Sequence, residues 1–332
     1  MEEARKRLEE ILADVPDKRI RVRHVHLNQE SHPPHADKMR MGTDGKGLVV
    51  STELFPGIEL SLQQYHANRV VLRHDSVPGV VEIHHCRSGR CGLNLADAHS
   101  LFLGEGDVFI QTLDQAVDSE MTLPLGYYEG INIQINLEHL NRKPPEILKG
   151  AGLDQESMMA ALCPHGRPVL LPPEHDIEHI FKDFYDMPEQ LRLPYYRIKT
   201  LELLLYLSLR RPGGEELTSG YQTSKTERIS QIHEYLTSDL TIRPTIEELS
   251  QTYHMNTTTL KELFRAVYGQ PIATYMKEFR MRKAMDLLAK QKFSISETAA
   301  LVGYENQSKF TAAFKQFTGE LPREYRNRVR AE

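Results

Sequence analysis

The chain has 332 residues, of which 40% are hydrophobic and 26% charged, and its formal net charge is −5. Single cores rarely grow beyond ~250–300 residues, so this length favours more than one domain. No apolar run approaches the ~18 residues of a membrane span, and the charged N-terminus is unlike a secretory signal, so we expect a cytoplasmic protein that does not enter membranes.

The three cysteines, Cys86, Cys91 and Cys163, are an odd and sparse set. Such a set argues against a disulfide framework and favours a reducing compartment. A zinc site normally needs a second Cys or His pair, and none lies near Cys86 and Cys91. We therefore expect neither a metal nor another cofactor.

The charge is divided unevenly along the chain. From residue 223 onward there are 17 Lys and Arg against 13 Asp and Glu, a net of +4, which leaves −9 for the rest. A basic C-terminal part on an acidic protein is typical of an attached nucleic-acid-binding module.

The first part of the chain changes its pattern near residue 47. Residues 1–46 read as a short amphipathic helix followed by a polar, irregular arm. Residues 47–140 contain short period-two segments separated by Gly, Pro and Asp, the spacing of an antiparallel sandwich or barrel. The strand-like segments are 48–50, 58–62, 80–83, 92–95, 100–103, 108–110 and 131–135.

Residues 141–211 are expected to be mainly helical. Ile177, Ile180 and Phe181 begin one apolar stripe, and a second helix after Pro194 is apolar over much of its circumference. That second helix is either deeply buried or a homodimer seam, in which Leu201, Leu204 and Leu205 are the candidate contacts. Residues 212–224 are helix-breaking, small and polar, which predicts a linker.

The C-terminal part, residues 225–330, contains an internal repeat. Thr245-x-x-Glu248 and Ser294-x-x-Glu297 are both capping boxes that open short apolar helices. Each short helix is followed by a turn and a longer helix with an apolar stripe, which begins near Asn306 in the second copy. Equivalent residues lie 49 or 50 positions apart, and the first turn has His254 where the second has Gly303. This is the pattern of two helix-turn-helix units.

A helix of about 20 residues, 271–291, is predicted between the two units. At ~1.5 Å per residue it spans roughly 30 Å, close to the ~34 Å between successive major-groove faces. Its basic residues, among them Arg280, Arg282 and Lys283, suit phosphate contacts or a solvated helix face.

The stretch 294–326, SISETAALVGYENQSKFTAAFKQFTGELPREYR, resembles the second helix-turn-helix of AraC/XylS-type transcription regulators. It matches S-I-x-E-x-A-x-x-V-G-Y-x-x-x-S-x-F-x-x-x-F-K-x-x-x-G-x-x-P-x-x-Y-R. The Gly104–Asp107 turn is similar, more loosely, to a turn of the cupin-like barrel found in these regulators. The resemblance implies an α+β chain: a cupin-like barrel, helices that dimerise, and an all-α domain with two helix-turn-helix units.

The resemblance also assigns candidate DNA contacts. It places base-reading residues on the outward faces of the two recognition helices, and chemistry supports most of them, since Lys, Gln and Glu can read base edges. The candidates for base contact are Thr258, Lys261, Glu262, Gln307, Ser308 and Thr311. The candidates for phosphate contact are Arg265, Lys309 and Lys315.

A small-molecule effector is expected in the barrel, in a largely apolar pocket with a few polar anchors. The candidate ligand-binding residues are Tyr65, His66, His84 and Arg87. A metal-dependent cupin enzyme is disfavoured because His84 and His85 are adjacent and face opposite sides of a strand.

These observations predict a transcription regulator rather than an enzyme. Its expected partners are double-stranded DNA, an effector of unknown identity, RNA polymerase and a second copy of the chain. Three alternatives are a cupin-type enzyme with a DNA-binding domain, a DNA-repair methyl acceptor, and a constitutive architectural binder. The sequence leaves open the effector, the operator, and whether the protein is an activator or a repressor.

Overall fold

The computed structural model describes residues 2–25, 40–73, 77–94, 99–113, 119–209 and 221–331. The chain divides into two compact units, residues 1–222 and 223–332. Leu95, at the end of the predicted strand segment 92–95, and residues 212–220 of the expected linker lie outside the described residues.

Among the described residues, the first unit contains all of the strands and five α-helices. The strands are β1 (Arg19–Val25), β2 (Arg40–Thr43), β3 (Lys46–Phe55), β4 (Ile58–His66), β5 (Arg69–Arg73), β6 (Val80–Gly89), β7 (Cys91–Asn94), β8 (His99–Leu103), β9 (Val108–Thr112), β10 (Ser119–Thr122), β11 (Tyr128–Asn136), β12 (Val169–Leu171) and β13 (Tyr221–Gln222). The helices are α1 (Glu2–Ile11), α2 (Leu137–Arg142), α3 (Gln155–Leu162), α4 (His175–Asp186) and α5 (Glu189–Ser208).

The strands form two sheets. The seven-stranded sheet has the order β1-β3-β4-β11-β6-β9-β12, and the six-stranded sheet has the order β13-β8-β7-β10-β5-β2. Alternate residues of each strand point to opposite faces. The inner face of the seven-stranded sheet shares one apolar cluster with the other sheet, in which Val49, Tyr65 and Phe109 meet Leu72 and Leu103.

The outer face of the seven-stranded sheet is covered by helices. Ile83 and Ile131 of the sheet pack with Phe181 of α4 and Leu203 of α5 in the largest apolar cluster. The segment that follows α1 covers β3 through a smaller cluster of Leu12, Val15 and Leu48. The amphipathic pattern of α4 thus places its apolar stripe against the sheet.

The α+β fold class is confirmed, and six strands are additional to those that the sequence predicted. Strand β1 lies in the segment expected to be irregular, where Ile20 and Val22 alternate with basic residues, and pairs in parallel with β3. Residues 221–224 of the expected linker form β13, which pairs with β8, and the start of the next helix. Helix α5 begins at Glu189 and includes Pro194, five residues after its start, instead of beginning after that proline.

The second unit is entirely helical. Its helices are α6 (Thr223–Ser238), α7 (Ile246–Thr252), α8 (Thr257–Tyr268), α9 (Ile272–Ala289), α10 (Ile295–Leu301), α11 (Gln307–Thr318) and α12 (Pro322–Ala331). Helices α7–α8 and α10–α11 are the two predicted helix-turn-helix units, and α9 joins them. No helix in the described ranges is long and apolar enough to cross a membrane.

We expect acid to destabilise the first unit through His85, which stacks on Phe181 with ring centroids 4.1 Å apart. Burial and the nearby Arg87 lower the pKa of His85 to about 3. Because the unfolded chain takes up this proton near pH 6.5, stability is full above that pH and falls as the pH drops towards 3. At pH 5 the loss from this residue is about 2 kcal/mol.

Thermal unfolding at pH 7.5 and pH 5 measures this effect. His85→Gln should reduce the difference between the two midpoints, whereas His139→Gln, at an exposed position on α2, should leave it unchanged. An equal acid sensitivity in the wild type and in His85→Gln would contradict the assignment.

Candidate nucleic-acid interface and barrel interior

The two helix-turn-helix units are built from the same local signals. Thr245 and Ser294 each close a capping box with the Glu three residues later, so both short helices start in the same way. Helices α8 and α11 have 12 residues each, with Asn256 and Asn306 as their N-caps. Both end in left-handed glycines, Gly269 with φ 81° and Gly319 with φ 84°.

The two turns have the same left-handed backbone conformation, although one has a histidine and the other a glycine at this position. His254 has φ 50° and Gly303 has φ 77°, both in the left-handed region. The amide after each residue donates to the short helix, from Met255 to the Ser250 carbonyl (3.0 Å) and from Tyr304 to the Ala299 carbonyl (2.9 Å). Histidine tolerates this conformation better than branched residues do, so the first turn keeps its shape.

The apolar stripes of α8 and α11 are buried. Leu260 and Phe264 of α8 correspond to Phe310 and Phe314 of α11, and all four are fully buried. The opposite faces of both helices are therefore exposed to solvent.

All nine predicted DNA-contact residues lie on these open faces. Thr258, Lys261, Glu262 and Arg265 are exposed on α8; Gln307, Ser308, Lys309 and Lys315 are exposed on α11, where Thr311 is half-buried. Each set lies within the first nine residues of its helix. The exposed face of each helix is therefore short enough to enter a single DNA groove.

The connecting helix α9 does not offer all of its basic residues to phosphates. The Arg280 guanidinium is buried and donates to the carbonyls of Leu240 (3.2 Å) and Ile242 (3.1 Å). Arg282 pairs with Glu278 at 3.6 Å, while Lys283 stays exposed. The 18 residues of α9 span about 27 Å.

A side-chain contact joins α9 to the second helix-turn-helix unit, and the loop before α7 contacts the same unit. Lys277 of α9 donates to the side-chain oxygen of Gln316 on α11 at 2.9 Å. Arg243, in the loop before α7, donates to the Gly303 carbonyl and lies 5.6 Å from the Tyr304 ring centre.

In the first unit, the four predicted ligand-binding residues divide between two faces. Tyr65 stacks with Tyr128 in the inner cluster, and His84 lies 6.1 Å from the Phe109 ring, so both face the interior. His66 lies 3.7 Å from Glu9 of α1, on the outer face. Arg87, also on the outer face, binds Asp186 at the end of α4 at 2.6 Å. His66 and Arg87 therefore do not line the interior, because neighbouring strand residues point to opposite sides.

Sequence reasoning missed the most polar part of the interior, which surrounds Glu82. This buried carboxylate accepts hydrogen bonds from Asn132 (2.9 Å), Gln134 (2.8 Å), Gln111 (3.1 Å) and His84 (3.2 Å). The alternation of β6 places Glu82 and His84 on one face, which is the signal that could have revealed it. Within the described ranges, no group of three or more His, Cys, Asp or Glu side chains is arranged to hold a metal ion.

The predicted dimer contacts on α5 also differ in their exposure. Leu204 is fully buried within its own unit, whereas Leu201 is half-buried and Leu205 is 39% exposed. Leu191, Ile198 and Leu205 are exposed at seven-residue intervals, and they form an apolar stripe on the outside of α5. Leu204 therefore cannot contact a second copy, and Ile198, 60% exposed, can take its place.

Comparisons with known proteins bear mainly on the second unit. A family model described as a helix-turn-helix domain matches residues 249–328. The transcriptional activator RhaR of Cronobacter sakazakii is 28% identical over 142 residues, 43% of this chain and 50% of RhaR. RhaR of Yersinia pseudotuberculosis is 39% identical over 70 residues, 21% of this chain and 24% of RhaR. The chain thus spans half or less of these relatives' length.

Solved structures resemble the chain at low overall scores. A DNA-binding transcriptional dual regulator from Escherichia coli K-12 has a TM-score of 0.28 and 23% identity, and the match covers 32% of this chain and 93% of that one. ToxT from Vibrio cholerae, bound to an unsaturated fatty acid, has a TM-score of 0.34 and 13% identity, with 82% and 96% covered.

The second turn supplies a test of the helix-turn-helix geometry. A Cβ on Gly303 would lie 2.0 Å from the Leu240 carbonyl oxygen, whereas one on Gly319 would meet nothing within 4 Å. Both glycines have positive φ, so Gly319→Ala measures the backbone cost alone, about 1–2 kcal/mol. Gly303→Ala adds the clash and should lower the stability of α10 and α11 by about 3 kcal/mol or more.

Native-state hydrogen exchange of the amides of α10 and α11 reports these losses separately from the rest of the chain. Equal losses for the two alanine variants would show that the Leu240 carbonyl does not constrain the turn.

Proposed function

We propose that the chain is a sequence-specific transcription regulator whose second unit is a DNA-binding helix-turn-helix domain of the AraC/XylS type. The proposal rests on one observation: two helix-turn-helix units with the same caps and turns, 50 residues apart, present open polar faces. Joined by a helix of about 27 Å, they suit adjacent major grooves on one side of DNA. The relatives named above are transcriptional activators, which favours activation and a contact with RNA polymerase.

In this proposal some residues of the two recognition helices contact base edges and others contact phosphates. Lys261, Glu262 and Gln307 have side chains that can pair with guanine, cytosine and adenine edges, respectively. Thr258, Ser308 and Thr311 supply shorter contacts from the same faces. Arg265, Lys309 and Lys315 bind phosphates and position the helices without reading sequence.

The first unit is proposed to bind a small-molecule effector between its two sheets. An effector changes DNA affinity only by favouring one arrangement of the chain over another. A 100-fold change requires a coupling free energy of about 2.7 kcal/mol, within the usual allosteric range. No enzymatic activity is part of the proposal, and action on DNA places the protein in the cytoplasm.

A second copy of the chain is the proposed partner of α5. The exposed Leu191, Ile198 and Leu205 repeat every seven residues, the spacing at which two copies of one helix pack along a common seam. Leu201 lies between the last two and extends the same seam.

The DNA-reading role predicts different effects for Gln307→Ala and Lys315→Ala. On a site obtained by in vitro selection with the full-length protein, Gln307→Ala should cost about 1–3 kcal/mol and relax preference at one base pair. Lys315→Ala should weaken all sequences alike and reduce the slope of log K against log salt by about one.

Titration of selected and random DNA at several salt concentrations measures both effects. The control is Gln251→Ala, which changes an exposed glutamine on α7, outside the recognition helices, and should alter neither. If both test variants acted identically on random and selected DNA, the assignment of the recognition face would be wrong.

The dimer seam predicts that Ile198→Glu gives a monomer. A carboxylate in the middle of the apolar stripe would be buried between two copies without a partner, which is strongly unfavourable. Sedimentation velocity of the full-length protein should show a dimer for the wild type and a monomer for the variant.

The matched control is Ile147→Glu, at an isoleucine that is 74% exposed outside α5. It introduces the same charge and should leave the dimer intact. A wild-type protein that sediments as a monomer at high micromolar concentration would exclude this seam.

A further inference from the structure

The carboxylate of Glu82 organises the inner face of the seven-stranded sheet. One of its oxygens accepts from the amides of Asn132 and Gln134, and the other accepts from the amide of Gln111 and from His84. These four hydrogen bonds occupy the lone-pair sites that a carboxylate offers. The carboxylate is thus held by donors from three strands, β6, β9 and β11.

This carboxylate is ionised. Burial by itself raises the pKa of Glu82, but attraction to His84 and the hydrogen bonds from His84, Asn132 and Gln134 outweigh burial and lower it to about 2. An ionised carboxylate only accepts hydrogen bonds, so each amide must turn its NH₂ group towards it. The three amide carbonyl oxygens are consequently turned away from Glu82.

One of these carbonyl oxygens is buried and has no partner among the described residues. Asn132 is 5% exposed, and its Oδ1 makes no hydrogen bond within this part of the chain while its Nδ2 is held by Glu82. The Oε1 of Gln63, another buried side chain, also has no partner in the described ranges. Gln63 pairs with Gly130 across β4 and β11, two residues from Asn132 on the same face. Buried acceptors without donors are costly, so a ligand that donates to them is favoured.

Further carboxylates lie in the same row of the sheet. Glu59 pairs with Gln134, Gln134 with Glu82, and Glu82 with Gln111, while Glu53 of β3 pairs with Glu59. These residues are on one face because cross-strand partners point the same way. The interior therefore combines negative charge with carbonyl acceptors.

We propose that this face, named here the Glu82 cluster (Glu82, Asn132, Gln134, Gln111 and Gln63), is a binding site for a small organic cation that carries an ammonium or guanidinium group. The amide carbonyls accept its N–H groups, and the ionised carboxylates balance its charge. An anionic ligand would place its oxygens against acceptors of the same sign, whereas an ammonium or guanidinium group donates to the carbonyl oxygens and is attracted by the Glu82 carboxylate.

The apolar part of such a ligand would pack on the apolar cluster between the two sheets. Leu72, Leu93 and Met121 of the six-stranded sheet and Phe109 of β9 belong to the inner cluster. A site with a polar floor and an apolar wall is typical of small-molecule pockets. The inference specifies the chemical class of the effector proposed above and rests on that proposal for its regulatory role.

Thermal-shift and calorimetric titrations of the full-length protein test the site. The cationic probes are agmatine, which has a guanidinium and an ammonium group, and methylguanidinium as a fragment. Xylitol and adipate serve as neutral and anionic probes, all at equal ionic strength. We expect agmatine to bind and to raise the unfolding temperature, and xylitol and adipate to do neither.

Glu82→Gln should weaken agmatine binding at least tenfold. The substitution removes the negative charge, and the new side-chain NH₂ group needs an acceptor. A neighbouring amide would rotate to supply that acceptor, and its carbonyl oxygen would no longer face the ligand. The matched control is Glu129→Gln, which changes net charge equally. Glu129 is buried in the same sheet but lies on the outer face, where it binds Gln64 (2.8 Å) and Arg7. The Glu129→Gln variant should bind agmatine with wild-type affinity.

Gln63→Met is a second variant in case Glu82→Gln does not fold. The Gln63 Oε1 has no hydrogen bond to lose, so the fold should persist while agmatine affinity falls several-fold. The proposal is overturned if neither cation binds at about 10 mM. A Kd of that size is a binding free energy of only about −3 kcal/mol. Preference for xylitol or adipate, or equal effects of Glu82→Gln and Glu129→Gln, would also overturn it.

The DNA titrations separate this site from the proposed function. If agmatine binds as described but does not alter DNA affinity, the cation site stands and its role as effector site fails. If the protein binds selected DNA but no cation, the regulator stands and the cation site fails.

Discussion

The buried guanidinium of Arg280 is the interaction on which the arrangement of the DNA-binding unit depends. It donates to the carbonyls of Leu240 and Ile242, in the loop between α6 and α7, and so joins that loop to α9. The same Leu240 carbonyl lies where a Cβ on Gly303 would be, which brings the second turn against the loop. Charged donors to carbonyls are among the stronger hydrogen bonds, and a buried one is costly to break. The spacing of the two helix-turn-helix units is therefore fixed by this junction as well as by the length of α9.

The sequence predicted the local structure of this unit well because its signals are short. A capping box spans four residues and a left-handed glycine one, so each is visible without knowing the fold. The role of Arg280 could not be predicted, since its acceptors are backbone carbonyls about 40 residues away. A backbone carbonyl is present at every residue, so the sequence does not show which ones a guanidinium will contact. In sequence Arg280 reads as one more basic residue of a helix suited to phosphates.

In the sheets, period-two patterns located seven strands but did not assign faces correctly. Tyr65 and His66 are neighbours on β4, so only one of them can face the interior, and His84 and Arg87, three residues apart on β6, also face opposite sides. The hub at Glu82 escaped prediction because a glutamate in a strand suggests a solvent-facing position. Its partners Asn132 and Gln111 are 50 and 29 residues away, and only the pairing of β6 with β9 and β11 brings them together.

Strand β6 contributes side chains to both faces of the seven-stranded sheet, the inner face and the face covered by helices. His84 faces the interior beside Glu82, while His85 faces outward, stacks on Phe181 of α4 and makes a 2.8 Å hydrogen bond to Tyr185. Arg87, farther along the strand, holds Asp186 at the end of α4, and α4 packs on α5. Close-packed interiors transmit small displacements instead of absorbing them. A ligand that changes the position of β6 by binding on its inner side therefore acts directly on α4 and on the helix that carries the exposed apolar stripe. A ligand on the inner face and dimerisation through α5 can be coupled through β6 alone, because one face of this strand lines the interior and the other face packs on the helices.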